Sequence, residues 1–393
     1  MSRLLLPALF VSAAFAHPAV AQPYQVTETI PISGAIGLPP GAFVSTVAGV
    51  NSSGLVVGTA NGSFSNTPFT WTVSGATALA LPQGFTAAQA SGINSQGWVV
   101  GTSYTDMGVG TPTLWKNGVP TAIPVPGQID SQTNGLSNAG HVVGITGLNQ
   151  PGVVSGFVWN NGTFTTLPSL GLGGSGQANP LAINSSGLAV GYSETSPNVL
   201  TATKWVNGTP TNLGVTGGFS VAKDVNEAGN IIVGTADNRA FIITNGNIQY
   251  ISQAGAVGVQ ARAVNETGDV VGTIFYQDPS NRDEAFVYHD GQLISGSNLF
   301  SAPGIIQSQG LGVTDDGNVF VIGFDSQFRQ TVLELSPGEG PPPDNGGDGG
   351  NSPPGTPGVP EPATIVLLGI AGLSYCALRC ASRLRHPRYA LSW

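Results

Sequence analysis

A nine-residue phrase, apolar-Asn-x-x-Gly-x-apolar-Val-Gly, recurs along this chain at intervals near 43 residues. It appears as Val50-Asn51-Ser52-Ser53-Gly54-Leu55-Val56-Val57-Gly58, and again over Ile93–Gly101, Ile183–Gly191 and Val264–Gly272. Val225–Gly234 carries one extra residue. Leu136–Gly144 puts Ser137 in the Asn place, and Val313–Gly323 uses Thr314 and reads with two extra residues. The anchors 51, 94, 137, 184, 226, 265 and 314 stand 43, 43, 47, 42, 39 and 49 residues apart. A period of this size means an array of one supersecondary unit whose faces are buried only by neighbouring copies.

A second phrase follows most copies of the first: an aromatic-apolar strand and then a tight turn. The strands are Phe69-Thr70-Trp71, Leu114-Trp115, Phe157-Val158-Trp159, Lys204-Trp205, Phe241-Ile242-Ile243 and Phe286-Val287-Tyr288. The turns are Ser74-Gly75, Asn117-Gly118, Asn161-Gly162, Asn207-Gly208, Asn245-Gly246 and Asp290-Gly291. Asn-Gly and Asp-Gly supply the positive φ angles that two-residue hairpins demand. Each unit therefore reads as four strands, with an Asn-x-x-Gly turn after the first. Four strands in about 43 residues is the size of a propeller blade. The seventh copy ends with a third strand, Thr331–Leu335, while Tyr24–Ile30 precedes the first copy without a partner. The expected fold is all-β: a seven-bladed β-propeller of four-stranded blades over 22–335, closed by the N-terminal strand, plus a single C-terminal transmembrane helix. Closure removes the edges an open array would expose.

The two ends read as addresses. Arg3, the apolar run Leu4–Ala16 and the small-residue pattern Ala19-Val20-Ala21 describe a secretory signal peptide over 1–21. Cleavage falls between Ala21 and Gln22, with a second site before His17. Residues 336–358 form a Pro/Gly-rich linker that has nothing to bury. Then come Val359-Pro360-Glu361-Pro362, the apolar stretch Ala363–Leu378, and Arg379, Arg383, Arg385 and Arg388. Sixteen helical residues span roughly 24 Å against the ~30 Å hydrocarbon core, a gap that snorkelling arginines or local thinning closes. The Arg cluster places the tail in the cytoplasm and the body outside.

Val359-Pro360-Glu361-Pro362, an apolar helix and an Arg cluster together resemble the PEP-CTERM sorting signal, here over 359–393. The resemblance implies that a membrane exosortase recognises Pro360, Glu361 and Pro362 and cleaves the tail, leaving the protein in the cell envelope or exterior of a Gram-negative bacterium, often one that makes exopolysaccharide. The repeat resembles the HAF family of extracellular repeats over about Tyr24–Leu335, which implies location and architecture far more than activity.

Composition narrows the partners. Only 8% of residues are charged, and the formal net charge is −9. Between 22 and 360 there are seven Lys and Arg against twenty Asp and Glu, a net of −13. That balance argues against nucleic acid, and repels acidic polymers unless divalent cations bridge them. Both cysteines, Cys376 and Cys380, lie in the tail, so neither a disulfide nor a Cys-bound metal supports the body.

Few residues point to chemistry. His141 and His289 are isolated, and no zinc-protease spacing, nucleophile elbow or P-loop is present. Asp315-Asp316-Gly317-Asn318 occupies a repeat turn. The loop Asp278–Glu284, with Asp278, Asp283 and Glu284, is a candidate calcium site without the ordered EF-hand pattern. Trp71, Trp115, Trp159 and Trp205 recur 44, 44 and 46 residues apart. They read first as packing between blades and second as a sugar-stacking series. The expected function is non-enzymatic and without cofactor: a secreted or cell-surface propeller associated with matrix or exopolysaccharide. The alternatives are a propeller-fold glycan lyase or hydrolase, which needs two carboxylates or a His and a carboxylate converging at the channel mouth, and a purely structural spacer.

Overall fold

The computed structural model describes residues 24–31 and 43–338, except 63–65, 73, 129, 149–153 and 278–281. The signal peptide with Ala21 and Gln22, the sorting signal with Pro360, Glu361 and Pro362, the apolar stretch 363–378 and Asp278 all lie outside these residues. The strands form seven four-stranded antiparallel sheets. Blade one is typical: Phe43–Val50, Val56–Asn61, Asn66–Thr72 and Gly75–Ala78, in that spatial order. The first strands of blades two to seven are Ala87–Ile93, Ser131–Leu136, Ala178–Ile183, Ser220–Val225, Gly258–Val264 and Ile305–Val313. Each of these touches the first strand of the blade on either side, and blade seven touches blade one. The first strands therefore ring a central axis, and the chain is a closed seven-bladed β-propeller.

The last blade is assembled from both ends of the propeller. Gln25–Pro31 pairs antiparallel with Gln330–Ser336, adding the fourth strand that the seventh copy lacks. The Tyr24 N–H donates to Leu299 O at 2.8 Å and pins the start of that strand. Glu28 and Glu334 face each other across the seam. Burial, and then Glu28, push the Glu334 carboxyl up from its ordinary value.

Hairpin chemistry follows the residues that demand it. Asn117, Asn161, Asn207, Asn245 and Asp290 take φ between 43 and 52°, each followed by a positive-φ Gly, as a two-residue hairpin requires. At the other repeated turn, Asn94 Oδ1 accepts the N–H groups of Gln96 (3.1 Å) and Trp98 (2.9 Å). Asn51, Asn184, Asn226 and Asn265 accept two turn N–H groups in the same manner. In blade five the extra residue sits inside the turn, where Asn226 N–H reaches Ile231 O instead of the fourth residue on.

The Asn side chain has a second task that the turn pattern does not announce. Asn51 Nδ2 donates to Asn94 O (3.2 Å), Asn94 Nδ2 to Ser137 O (3.1 Å), Asn184 Nδ2 to Asn226 O (3.3 Å) and Asn265 Nδ2 to Thr314 O (2.9 Å). Each amide thus closes its own turn and grips the anchor of the next blade. These Asn residues are 1–6% exposed, so their amide hydrogen bonds form where water does not compete. Ser137 and Thr314 keep the turn acceptor but have no amide donor. At the Ser137 gap, Ala139 N–H donates to Ser185 Oγ of blade four at 3.0 Å.

Every first strand carries a β-bulge at one place, with an extra residue at Ala48, Ser91, Asn134, Leu181, Lys223, Arg262 or Leu311. The repeat Gly lies opposite. A Cβ on Gly144 would stand 2.0 Å from Gln132 O and 2.8 Å from the Phe157 ring, so no larger residue fits without moving backbone. The seventh copy departs from the sequence reading. Its turn has the ordinary length, with Thr314 N–H bonded to Asn318 O at 2.9 Å, and Val321, not Gly323, pairs beside the bulge. Val321 stands there paired with Gly310, whose own Cβ position is closed by Gly272 O of blade six at 2.5 Å.

A second latch accompanies the bulge. Thr59, Thr102 and Thr273, one residue after that Gly, accept the N–H of Ala90 (3.0 Å), Thr133 (3.1 Å) and Gly310 (3.3 Å) in the next blade. Blade three has Ile145 at this place, and blade four meets it with Pro180, which has no N–H to satisfy.

Aspartate is a good turn acceptor but cannot donate. Asn94→Asp therefore separates the two tasks of this side chain. We expect Asn94→Asp and Asn94→Ala each to destabilise the protein by about 2–3 kcal/mol in urea unfolding, the cost of stranding buried polar groups. A residue acting in its turn alone predicts a change under about 0.5 kcal/mol for the aspartate.

Candidate functional site at the propeller axis

The seven bulge residues form the innermost ring of the molecule. An unpaired residue on an innermost strand is turned out of the ladder, and a bulge is a common means of re-aiming a side chain. Elsewhere the blades repeat what the fold requires. Here they differ: Ala48, Ser91, Asn134, Leu181, Lys223, Arg262 and Leu311.

Lys223 and Arg262 are the two charged members, and they stand in adjacent blades. The Arg262 guanidinium reaches past blade seven to Val47 O and Ala48 O of blade one, both at 3.5 Å, so it extends across the axis. These contacts are at the outer limit of a hydrogen bond. Among the described residues, the Lys223 ammonium has no hydrogen bond or ion pair. Burial, and then the Arg262 guanidinium, push the Lys223 ammonium down, and burial pushes Arg262 down as well. Both side chains are nonetheless exposed to solvent, so the crowding of protein atoms around the axis, and not exclusion of water, lies behind these shifts.

Asp224 sits next to Lys223, where other blades have Gly49, Gly92, Gly135, Ala182, Ala263 and Gly312. Its carboxylate accepts the N–H of Val264 in blade six (3.0 Å) and of Val225 (2.9 Å). Burial, opposed by those two bonds and assisted by Glu227, raises its pKa to about 7. Two cations therefore stand beside a carboxyl that burial makes harder to ionise.

The residues singled out in the sequence fall elsewhere. Trp115 and Trp205 are 1% exposed, and their Nε1–H groups donate to Ala80 O (2.7 Å) and Pro168 O (2.9 Å) at the end of the preceding blade. Trp71 is buried against Phe69 in an edge-on contact at 5.8 Å. Trp159 is half-buried. Three of the four rings thus present almost no face to a ligand.

Asp283 and Glu284 border a cleft of about 220 Å³ between blades six and seven, with Arg282, Phe300 and Ile305. Gln309 Nε2 donates to Asp283 at 2.8 Å, and burial nonetheless pushes that carboxyl up. Ser295 Oγ donates to Glu284 at 3.3 Å. Among the described residues, no three His, Cys, Asp or Glu side chains are grouped to hold a metal. His141 is half-buried with its Nδ1 unpartnered.

His289 belongs to a turn network. Its Nδ1 meets Asp269, whose carboxylate also accepts from Asn265 Nδ2 (2.8 Å) and Thr267 Oγ1 (2.9 Å). The bond to Asp269 raises the His289 pKa above its ordinary value against the effect of burial. For Asp269, burial opposes ionisation, but the bonds from His289, Asn265 and Thr267 outweigh it and lower the pKa.

No protein-family model matches the chain, and no curated protein matches it. Solved structures do. One, from a study of two prolyl endopeptidases, aligns with TM-score 0.52 at 11% identity over 75% of this chain and 48% of that one. The β-propeller domain of the Trilobed protease from Pyrococcus furiosus aligns with TM-score 0.50 at 12% identity over 75% and 95%. TolB from Acinetobacter baumannii aligns with TM-score 0.38 at 10% identity over 69% and 60%. What is shared is the propeller. The chain spans about half of the endopeptidase and 60% of that TolB. The Pyrococcus domain is described as an open velcro topology, whereas here the terminal strand closes the seventh blade.

The His289–Asp269 pair gives a signed pH response. The raised His289 pKa contributes stability that is full below its ordinary 6.5 and is lost as pH rises through the raised value. The lowered Asp269 pKa contributes stability present above its ordinary 3.8 and lost as pH falls through the lowered value. Asp269→Asn is expected to return the His289 imidazole NMR titration toward 6.5. A titration unmoved by the substitution contradicts this pairing.

Proposed function

We propose that this chain is a non-enzymatic, envelope-displayed binding propeller of a Gram-negative bacterium, sorted by an exosortase and associated with exopolysaccharide or another matrix component. The observation that carries the binding reading is the contrast between columns of the repeat. The turn anchors, the Gly and the aromatic strand recur because blade geometry requires them. The axial bulge residue differs in nearly every blade; Asn134 donates to Asn179 Oδ1 and Pro180 O of blade four and Ser91 accepts from Thr133 of blade three, but no such contact between blades explains Lys223. Loops and edges presented by a rigid scaffold are where binding is built. Delivery to the envelope rests on the terminal segments: a signal peptide over 1–21, a linker over 336–358, and Pro360-Glu361-Pro362 before an apolar stretch and an Arg cluster.

The test uses the mature chain and the polysaccharide of the producing bacterium. Saturable cosedimentation without loss of polymer length is the expected result. Shortened polymer supports the glycan-degrading alternative, and neither binding nor cleavage supports a spacer. Replacing Pro360 and Pro362 by Ala is expected to leave the full-length tail uncleaved in cells that process the native chain. Equal processing contradicts the sorting assignment.

A further inference from the structure

Seven Lys and Arg residues serve residues 22–360, which carry twenty carboxylates. The fold places two of these scarce cations in adjacent blades on the axis, and among the described residues neither is paired with a carboxylate. Like charges in adjacent blades repel, although both side chains are exposed to solvent, which screens them in part. Asp224, next to Lys223 in the chain, is committed to the N–H groups of Val225 and Val264. Arg262 has only two long contacts to carbonyl oxygens, and Lys223 has none. The equivalent place in the other blades is filled by Ala, Ser, Asn or Leu, so the bulge itself does not need a cation.

We infer that Lys223 and Arg262 form an axial binding site for an oxyanion, the carboxylate of an acidic sugar or a free sulfate or phosphate. A planar guanidinium grips two oxygens of such a group, and an ammonium beside it adds a point charge. The remaining surface is acidic, so a long polyanion is repelled while a single anionic group at a chain end or on a small molecule enters the opening. The inference deepens the binding reading above and rests on it only for the biological source of the anion.

The experiment needs no polysaccharide. Thermal unfolding and calorimetric titration of the mature chain are run with sodium glucuronate, sulfate, phosphate and, as the neutral control, glucose, at constant ionic strength. Saturable stabilisation by one or more of the anions up to about 50 mM, with none from glucose, is expected. Glucuronate preferred over sulfate and phosphate identifies a uronate source, and the reverse order an inorganic or ester source. Lys223→Met and Arg262→Met are each expected to weaken binding about ten-fold or more. Without anion, both variants should unfold at or above the native temperature, because a repulsion has been removed. No saturable anion effect on the native chain overturns the inference, as does equal affinity in both variants. Anion binding without polysaccharide binding would uphold this site and reject the matrix reading, so the two fail separately.

Discussion

The rest of the structure depends on one irregularity: the extra residue in the innermost strand of each blade. The bulge breaks the ladder at a fixed place and brings the strand-one carbonyl onto the repeat Gly. In blade three the Gln132 carbonyl lies where a Cβ on Gly144 would be. The same break frees an N–H beside the bulge, and Thr59, Thr102 or Thr273 of the preceding blade accepts it. It also turns one side chain per blade out of the sheet at the axis. A local departure from regular pairing thus fixes the Gly, links neighbouring blades and supplies the axial ring.

The blades hold together through polar contacts placed where water does not reach. Asn anchors grip the next turn from one end, and Thr hydroxyls grip the next bulge. Between these, apolar clusters such as Trp115 with Leu79 and Ala88, or Trp205 with Leu167 and Ala178, fill the space between sheets. At the junction of blades three and four, Ile145 offers no acceptor and Pro180 has no N–H to satisfy, whereas between blades five and six the Thr235 hydroxyl is buried without a partner. The ring closes because the terminal strand completes a blade that the rest of the chain leaves one strand short.

Much of this architecture was legible in the sequence. The Asn-x-x-Gly and Asn-Gly turns announce their own φ angles, and an unpartnered first strand with an incomplete seventh copy announces the seam. The second role of Asn51, Asn94, Asn184 and Asn265 was not legible, because a turn alone accounts for the residue type. The seventh copy was misread at Gly323 because a Gly was sought in the strand. The position opposite the bulge is held there by Val321. Lys223 and Arg262 were missed for a related reason. They stand three residues before their anchors, outside the recurring phrase, and only aligning that column shows them as its two charged members.

The central claim is that in blades one to six the bulge forces Gly at its opposite position, and comparing Gly144→Ala with Gly323→Ala, which lies away from the bulge of blade seven, tests it most directly. At Gly144 the added Cβ meets backbone at 2.0 Å, whereas at Gly323 it meets the Ile305 side chain at 2.9 Å. We predict that Gly144→Ala lowers unfolding free energy by about 3 kcal/mol or more, while Gly323→Ala costs about 1 kcal/mol as Ile305 shifts. Equal and small losses at the two positions would contradict the account.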